Sequence, residues 1–134
     1  MSDQWNFVHS LGSEAVWTDG FRGEFEYRDL GVEGGTKGAF AAHLVRAKAN
    51  APQDDIHEWH VHDCSFQLVL VLKGWARFEY EGHDGDCVIR KGDCILQPSG
   101  MKHRELDCSD DFECLEVISP SDFGTRDVEA PQSE

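Results

Sequence analysis

Basic residues are scarce in this sequence of 134 residues. There are 12 Lys and Arg against 26 Asp and Glu, which gives a formal net charge of −14 at pH 7. A surface with this charge repels the phosphates of nucleic acids and the head groups of anionic membranes. We therefore expect neither nucleic acid nor a membrane surface among the partners of the protein.

Long apolar runs are also lacking. The longest continuous apolar stretch, Leu68–Leu72, has only the length of a strand, and the N-terminal residues contain no apolar segment typical of a signal peptide. No Cys-x-x-Cys pair occurs, and the five cysteines are odd in number. These absences predict free thiols in a reducing cytoplasm, with most cysteines serving as small apolar core residues.

Helical periodicity is weak, and short alternating segments take its place. Each segment has the length of a strand and is closed by Gly, Pro or Asp, which is typical of a β-sandwich or β-barrel. The alanine-rich segment 37–48 also alternates, so we predict a strand there. The predicted strands cover approximately residues 21–30, 37–48, 58–64, 66–73, 75–81, 87–91, 93–97, 103–108 and 112–119.

The length suits one domain with one core. We divide the chain into an N-terminal arm (1–20), a barrel (21–123) and an acidic C-terminal tail (124–134). The arm contains aromatic residues without a clear period, which predicts that it packs on the barrel or on a second subunit. The acidic tail is expected to fray in solvent.

Three histidines have a spacing that points to a metal site. His60 and His62 alternate, so on an extended strand they point to the same side. His103 follows a Pro-x-Gly turn, and an antiparallel strand would bring it back beside them. Converging imidazoles suit a divalent transition metal. The remaining histidines, for which we predict no role, are His9, His43, His57 and His83.

These residues also resemble the motifs of a known family, the cupins. His60-x-His62-x4-Gln67-x6-Gly74 is similar to the first cupin motif, Gly-x5-His-x-His-x4-Glu-x6-Gly, from its first histidine onward. The glycine expected six positions before His60 is Asp54. The glutamate of the motif is replaced by Gln67.

The second cupin motif, Gly-x5-Pro-x-Gly-x2-His-x3-Asn, resembles Gly92-x5-Pro98-x-Gly100-x2-His103, with Asp107 at the place of the asparagine. The resemblance implies a jelly-roll β-barrel, also called a double-stranded β-helix, with a metal inside. It implies a homodimer as well. The ligand set that it implies is His60, His62, Gln67 and His103.

The replacement of a glutamate by Gln67 changes the charge of such a site. An amide supplies only a carbonyl oxygen dipole, so neutral ligands leave the metal with its full charge. Two interpretations stay open: Gln67 binds the metal, or it donates a hydrogen bond to a metal-bound water or a substrate oxygen. Histidine with an amide oxygen suits Fe, Mn, Ni, Zn or Co.

Further candidates for the site come from strand parity and from charge. Val69 and Val71 share the parity of Gln67 and are expected to line the cavity, and Cys64 shares that of His62 and is expected to reach the edge of the site. Candidate catalytic residues are the positive charges Arg46 and Arg77 within predicted strands, and Asp122 and Arg126 near the C-terminus. A guanidinium could clamp a substrate carboxylate, although a surface ion pair is the simpler interpretation of any one arginine, including Arg104.

The residues Asp122, Phe123 and Arg126 are similar in type, although not in spacing, to a trio in cupins that isomerise unsaturated uronic acids. The sequence therefore favours a metal-binding cupin that acts on a small oxygenated organic acid or sugar acid. The chemistry is of the Lewis-acid (isomerase or lyase) type or of the dioxygenase type. The alternatives are a binding or sensor cupin without turnover and a metal-free structural domain.

Overall fold

The computed structural model describes residues 4–19, 25–48, 58–122 and 124–131. Nearly all regular structure in these ranges is β, which confirms the predicted all-β class. The helical exceptions are a 3-10 turn, Gly12–Glu14, and one turn of α-helix, α1 (Val32–Gly35). The strands are β1 (Thr18–Asp19), β2 (Phe25–Asp29), β3 (Ala41–Ala47), β4 (His60–His62), β5 (Phe66–Lys73), β6 (Trp75–Tyr80), β7 (Cys87–Arg90), β8 (Cys94–Leu96), β9 (His103–Cys108), β10 (Glu113–Ser119) and β11 (Thr125–Asp127).

Several strand boundaries follow from the sequence pattern. The predicted strands at 66–73 and 103–108 coincide with β5 and β9. The alanine-rich segment 37–48 contains β3, so alternation identified the strand correctly despite the helical preference of alanine.

The strands form two antiparallel sheets. One has the order β1-β2-β3-β10-β5-β8, and the other has the order β11-β4-β9-β6-β7. From β5 onward the chain changes sheet repeatedly, because β5, β8 and β10 lie in the first sheet and β6, β7 and β9 in the second. The inner faces of both sheets contribute to one hydrophobic core, in which Val71 is 1% and Ala76 is 0% exposed.

Side-chain alternation gives the inner face of the first sheet a polar end and an apolar end. Successive inward positions on β3, β5 and β10 form rows across the sheet, because these strands pair directly. One row contains His43, Glu116 and Val69, and the next contains Val45, Cys114 and Val71. The polarity therefore changes within one step along the strands.

Gly74 makes the connection between β5 and β6 possible. Its φ is +67°, and a Cβ at this position would lie 2.2 Å from Oγ of Ser109 and 2.6 Å from Oδ1 of Asp111. Glycine is required because any side chain would be strained and would collide with this loop.

Two short strands lie outside the predicted limits of the barrel. β1 belongs to the predicted arm and pairs with β2, and β11 belongs to the predicted tail and pairs with β4. The arm also packs on the barrel, where Trp5 meets the ring of Phe40 with centroids 6.0 Å apart. The division into arm, barrel and tail stays a prediction. Among the described residues, the structure contains no helix with the length and apolar character needed to cross a membrane.

Candidate metal centre

The structure brings His60, His62 and His103 together inside the barrel. His60 and His62 share the inward side of β4, and His103 is the first residue of β9, where it pairs in register with His60. The ring centroids of His60 and His103 are 4.2 Å apart, and that of His62 lies 4.9 Å from each. One ligand nitrogen of each residue lies within 4.8 Å of the others, so the three could hold one metal ion.

The turn before β9 positions His103. Gly100 has a φ of +75°, which glycine adopts readily, and its backbone N–H donates to the carbonyl oxygen of His62 at 3.3 Å. The end of β4 is thereby joined to the turn that leads into β9. This explains why His103, which lies 41 positions after His62, returns to the pair on β4.

Hydrogen bonds to the backbone orient two of the rings. Nδ1 of His60 lies 2.9 Å from the carbonyl oxygen of Glu58, and Nδ1 of His103 lies 3.0 Å from that of Met101. A carbonyl oxygen only accepts, so each Nδ1 carries the proton and each Nε2 keeps a lone pair. His60 and His103 are 6% and 4% exposed. This donor set fits a divalent transition metal.

Gln67 lines the same cavity as the imidazoles and is 4% exposed. Its Oε1 accepts a hydrogen bond from Nε2 of Gln97 at 3.1 Å and lies 3.8 Å from Sγ of Cys64. Gln97 in turn places Nε2 3.2 Å from Nε2 of His103. The side chain of Gln97 therefore connects Gln67 to His103. Its role as a ligand stays a prediction.

Sequence reasoning missed three side chains that complete this polar end of the cavity: His43, Gln97 and Glu116. Nε2 of His43 donates to Oε1 of Glu116 at 2.6 Å, and Nε2 of Gln67 donates to Oε2 of Glu116 at 2.8 Å. The side chains of His43 and Glu116 are each 19% exposed. Glu116 could have been found as the charged inward residue between Cys114 and Ile118 on an otherwise apolar strand face.

The environment of Glu116 favours its carboxylate form. Burial by itself raises the pKa of this carboxyl group. The hydrogen bond from His43 and the charge of His43, followed by the hydrogen bond from Gln67, outweigh burial and hold the pKa below its usual range. An ionised carboxylate therefore lies next to the candidate metal centre.

These groups open into one cavity of about 610 Å³. The volume is within the range of small-molecule sites. The described residues that line it are Asp19, Phe25, Tyr27, His43, Val45, His60, His62, Gln67, Val69, Phe78, Tyr80, Ile89, Gln97, His103, Glu105, Phe112, Cys114 and Glu116. Val69 lines the cavity as predicted, whereas Val71 lies in the hydrophobic core.

The candidate arginines on the strands take part in ion pairs and do not appear in the lining of the cavity. Nε of Arg46 pairs with Oε1 of Glu26 at 3.0 Å, and its guanidinium lies over the ring of Trp17 at 3.8 Å. Arg77 binds Asp107 at 2.8 Å and Asp86 at 3.0 Å. A further pair joins Arg104 to Glu79.

The other sequence-based candidates lie near the C-terminus or before β4. Asp122 is exposed and is not among the described cavity-lining residues. Arg126 belongs to β11, but its side chain lies outside the described part of the structure, as do Phe123, Asp54 and His57. Their roles stay predictions.

Comparison with known proteins agrees with this architecture. The model of the family described as "Cupin domain" matches residues 50–117. Comparison with curated protein sequences gives no match.

Solved structures share the fold at low identity. KdgF from Halomonas sp. is 19% identical, with a TM-score of 0.60 over 86% of this chain and 94% of that one. The polyketide cyclase RemF from Streptomyces resistomycificus is 15% identical, with a TM-score of 0.68 over 95% and 87%. The DMSP lyase DddQ from Ruegeria pomeroyi is 24% identical, with a TM-score of 0.56 over 88% and 56%. These likenesses confirm the predicted jelly-roll fold.

Proposed function

This chain belongs to the cupin domain family, and on that premise we propose that it is a metal-dependent enzyme that acts on a small oxygenated organic molecule by redox-neutral proton transfer. The observation that carries the proposal is the arrangement of the polar end of the cavity. A cluster of three imidazoles shares it with the hydrogen-bonded pair His43 and Glu116.

The imidazole cluster supplies the first requirement, a place for the ion. A divalent transition metal, whether Fe, Mn, Ni, Zn or Co, would polarise a bound substrate oxygen and so acidify the neighbouring C–H or O–H group. His60, His62 and His103 are neutral donors in this proposal, because protonated imidazoles could not bind the ion. Gln67 adds no charge, whether it binds the metal or donates a hydrogen bond to an oxygen there.

The pair His43 and Glu116 supplies the second requirement, an acceptor for the proton. Glu116 is ionised at neutral pH because its pKa lies below the usual range, and it lines the same cavity as the imidazoles. It would accept a proton from one substrate atom and return it at another atom in an isomerisation, or pass it to the departing group or to solvent in an elimination. His43 and Gln67 hold the carboxylate in place by their hydrogen bonds at 2.6 Å and 2.8 Å.

Two similar structures bear the names of a cyclase and a lyase. At this low identity the likeness shows the fold alone, so the reaction class rests on the carboxylate beside the imidazoles. The organic acid or sugar acid expected from the sequence belongs to this proposal, as do the cytoplasmic location and the homodimer.

Elemental analysis of the purified protein tests the metal centre. We expect transition metal near one equivalent per chain, lost in a His60→Ala/His62→Ala double variant. A matched control is His9→Ala, since His9 is exposed on the arm. Unchanged metal content in the double variant would refute the proposed centre.

A substrate panel tests the reaction class. Diketones, keto acids, phenols and sugar acids are incubated with the metal-loaded protein, and products are followed by mass spectrometry and proton exchange. We expect conversion or solvent-deuterium exchange without oxygen uptake. Oxygen consumption by the iron-loaded protein would favour the dioxygenase instead, and binding without exchange or conversion would favour a sensor.

A further inference from the structure

The described lining of the cavity carries carboxylic groups and histidines but no arginine or lysine. Among the described lining residues, Asp19, Glu105 and Glu116 are carboxylic, and none is Arg or Lys. Asp19 is at the rim, with its side chain 78% exposed and Oδ1 3.0 Å from Nζ of Lys48. A ligand carboxylate bound away from the imidazoles would therefore meet no guanidinium or ammonium group among these residues. A buried charge without such a partner is costly.

Beyond the polar end, the cavity is lined by part of the hydrophobic core. On the second sheet, one pair of inward residues is Tyr80 and His103. The next inward pair along these strands is Phe78 and Glu105. Lining residues that belong to the hydrophobic core cluster or pack on it include Phe25, Val45, Val69, Phe78, Ile89 and Phe112. A ligand that reaches past the imidazoles thus meets mainly apolar side chains, and the charged group described among them is the carboxyl of Glu105.

Stacked rings connect the two ends. The ring of Tyr80 is nearly parallel to that of His103, at 5.8 Å and 22°, and nearly parallel to that of Phe78, at 5.8 Å and 28°. This wall presents three rings to the cavity, and offset or edge-to-face contacts with them favour a ligand that contains a ring. The volume of about 610 Å³ equals that of roughly twenty water molecules at about 30 Å³ each. A two-carbon acid would fill little of it.

We propose that the substrate has an oxygen-bearing head, which binds at the imidazoles, and an uncharged body with a ring, which lies against Phe78 and Tyr80. This inference rests on the proposed function, because it takes the imidazole end as the place of the reacting oxygens. Within the acids expected from the sequence, it selects those whose charged oxygens all lie at the metal. It disfavours hydroxylated sugar acids, whose bodies would need many hydrogen bonds in the apolar end.

Two probes with the same head and different bodies test the inference. 4-Methylcatechol and 3,4-dihydroxybenzoate share two vicinal hydroxyl groups and differ in the charge of the distant substituent. Both are titrated calorimetrically into zinc-loaded protein, since zinc does not oxidise catechols. We expect 4-methylcatechol to bind about ten-fold tighter or more, because no described residue of the apolar end offers the carboxylate a cationic partner. Equal affinity, tighter binding of the benzoate, or no binding of either probe would overturn the inference.

A variant that introduces a positive charge into the apolar end provides a second test. Val45 is 7% exposed in the apolar end, so Val45→Arg adds a guanidinium there and is expected to shift the preference toward the benzoate by about ten-fold. The matched control is Val16→Arg, at a site that is 71% exposed and absent from the described lining. This control should keep the native preference, and a similar shift in it would contradict the inference. If Val45→Arg does not fold, the affinities of the native protein decide.

The same titration separates this inference from the proposed function. Zinc content is measured first, and the probes are then compared with and without EDTA treatment. Absence of zinc binding would refute the metal centre, whereas the order of the two affinities in the EDTA-treated protein still tests the apolar body. A preference for the benzoate in protein that binds zinc would overturn the inference and leave the metal centre standing.

Discussion

Nε2 of Gln67 donates a hydrogen bond to Oε2 of Glu116 at 2.8 Å. This contact explains why an amide stands where the cupin motif has a glutamate. A carboxylate at position 67 would face that of Glu116 at hydrogen-bond distance, and two such charges repel unless one is protonated. The cupin motif places a carboxylate at position 67 on β5, whereas here the carboxylate belongs to Glu116 on β10. The amide of Gln67 lies between Glu116 and Gln97.

Exchanging the two side chains tests this relationship. Gln67→Glu alone is expected to lower the free energy of unfolding of the metal-free protein by about 1–3 kcal/mol, because a buried hydrogen bond is replaced by repulsion. The double variant Gln67→Glu/Glu116→Gln restores an amide donor and a carboxylate acceptor and should recover most of this loss. Urea unfolding in EDTA measures the coupling between the two positions. Additive effects of the two changes would show that the contact is unimportant.

The lowered pKa of Glu116 predicts a specific dependence of stability on pH. A carboxyl group whose pKa is lower in the folded protein stabilises it fully above the usual glutamate pKa of about 4.3. This contribution is lost as the pH falls from that value through the lowered folded pKa. The wild-type free energy of unfolding should therefore fall more steeply with acidification than that of Glu116→Gln. Unfolding at a series of pH values measures both slopes.

A matched variant controls for general acid effects. Glu33→Gln changes an exposed glutamate of α1 and should retain the wild-type slope. Parallel curves for wild type and Glu116→Gln would contradict the role assigned to the hydrogen bonds of Glu116.

The strand arginines provide a test of the surface interpretation. Arg77 pairs with Asp107 and Asp86, and Arg46 with Glu26, while neither lines the described cavity. Arg46→Gln and Arg77→Gln should leave the metal content and the affinity for 4-methylcatechol unchanged. Calorimetry and elemental analysis measure both. Loss of ligand affinity with intact metal would instead support the catalytic role considered from the sequence.

Thiol reactivity should follow burial. Cys94 is exposed, Cys87 is partly buried and is expected to react more slowly, and Cys64, Cys108 and Cys114 are buried. Burial raises the pKa of Cys64 and Cys114, which further reduces their reactive thiolate. Titration of the metal-free native protein with a thiol reagent should show one fast cysteine, and Cys94→Ser should remove that phase. Rapid modification of the buried thiols in folded protein would contradict the packing of the core.

The sequence determined the fold class and the cluster of three histidines, because both depend on local patterns. Alternation identified β3 and β5 as strands. The spacing of His60 and His62 predicted that they share one side of a strand, and the glycine turn before His103 predicted that this residue returns beside them. Arg46 and Arg77 were ambiguous, since strand parity does not reveal which partner a long charged side chain meets.

Only the tertiary structure brought His43 and Glu116 to Gln67. The two residues are separated by 73 positions, and they meet because β3 and β10 pair in one register. No local period records which strands become neighbours or where their rows align, because that choice depends on how both sheets bury their apolar faces together. The same packing decided that the cavity changes from polar to apolar within one row of side chains.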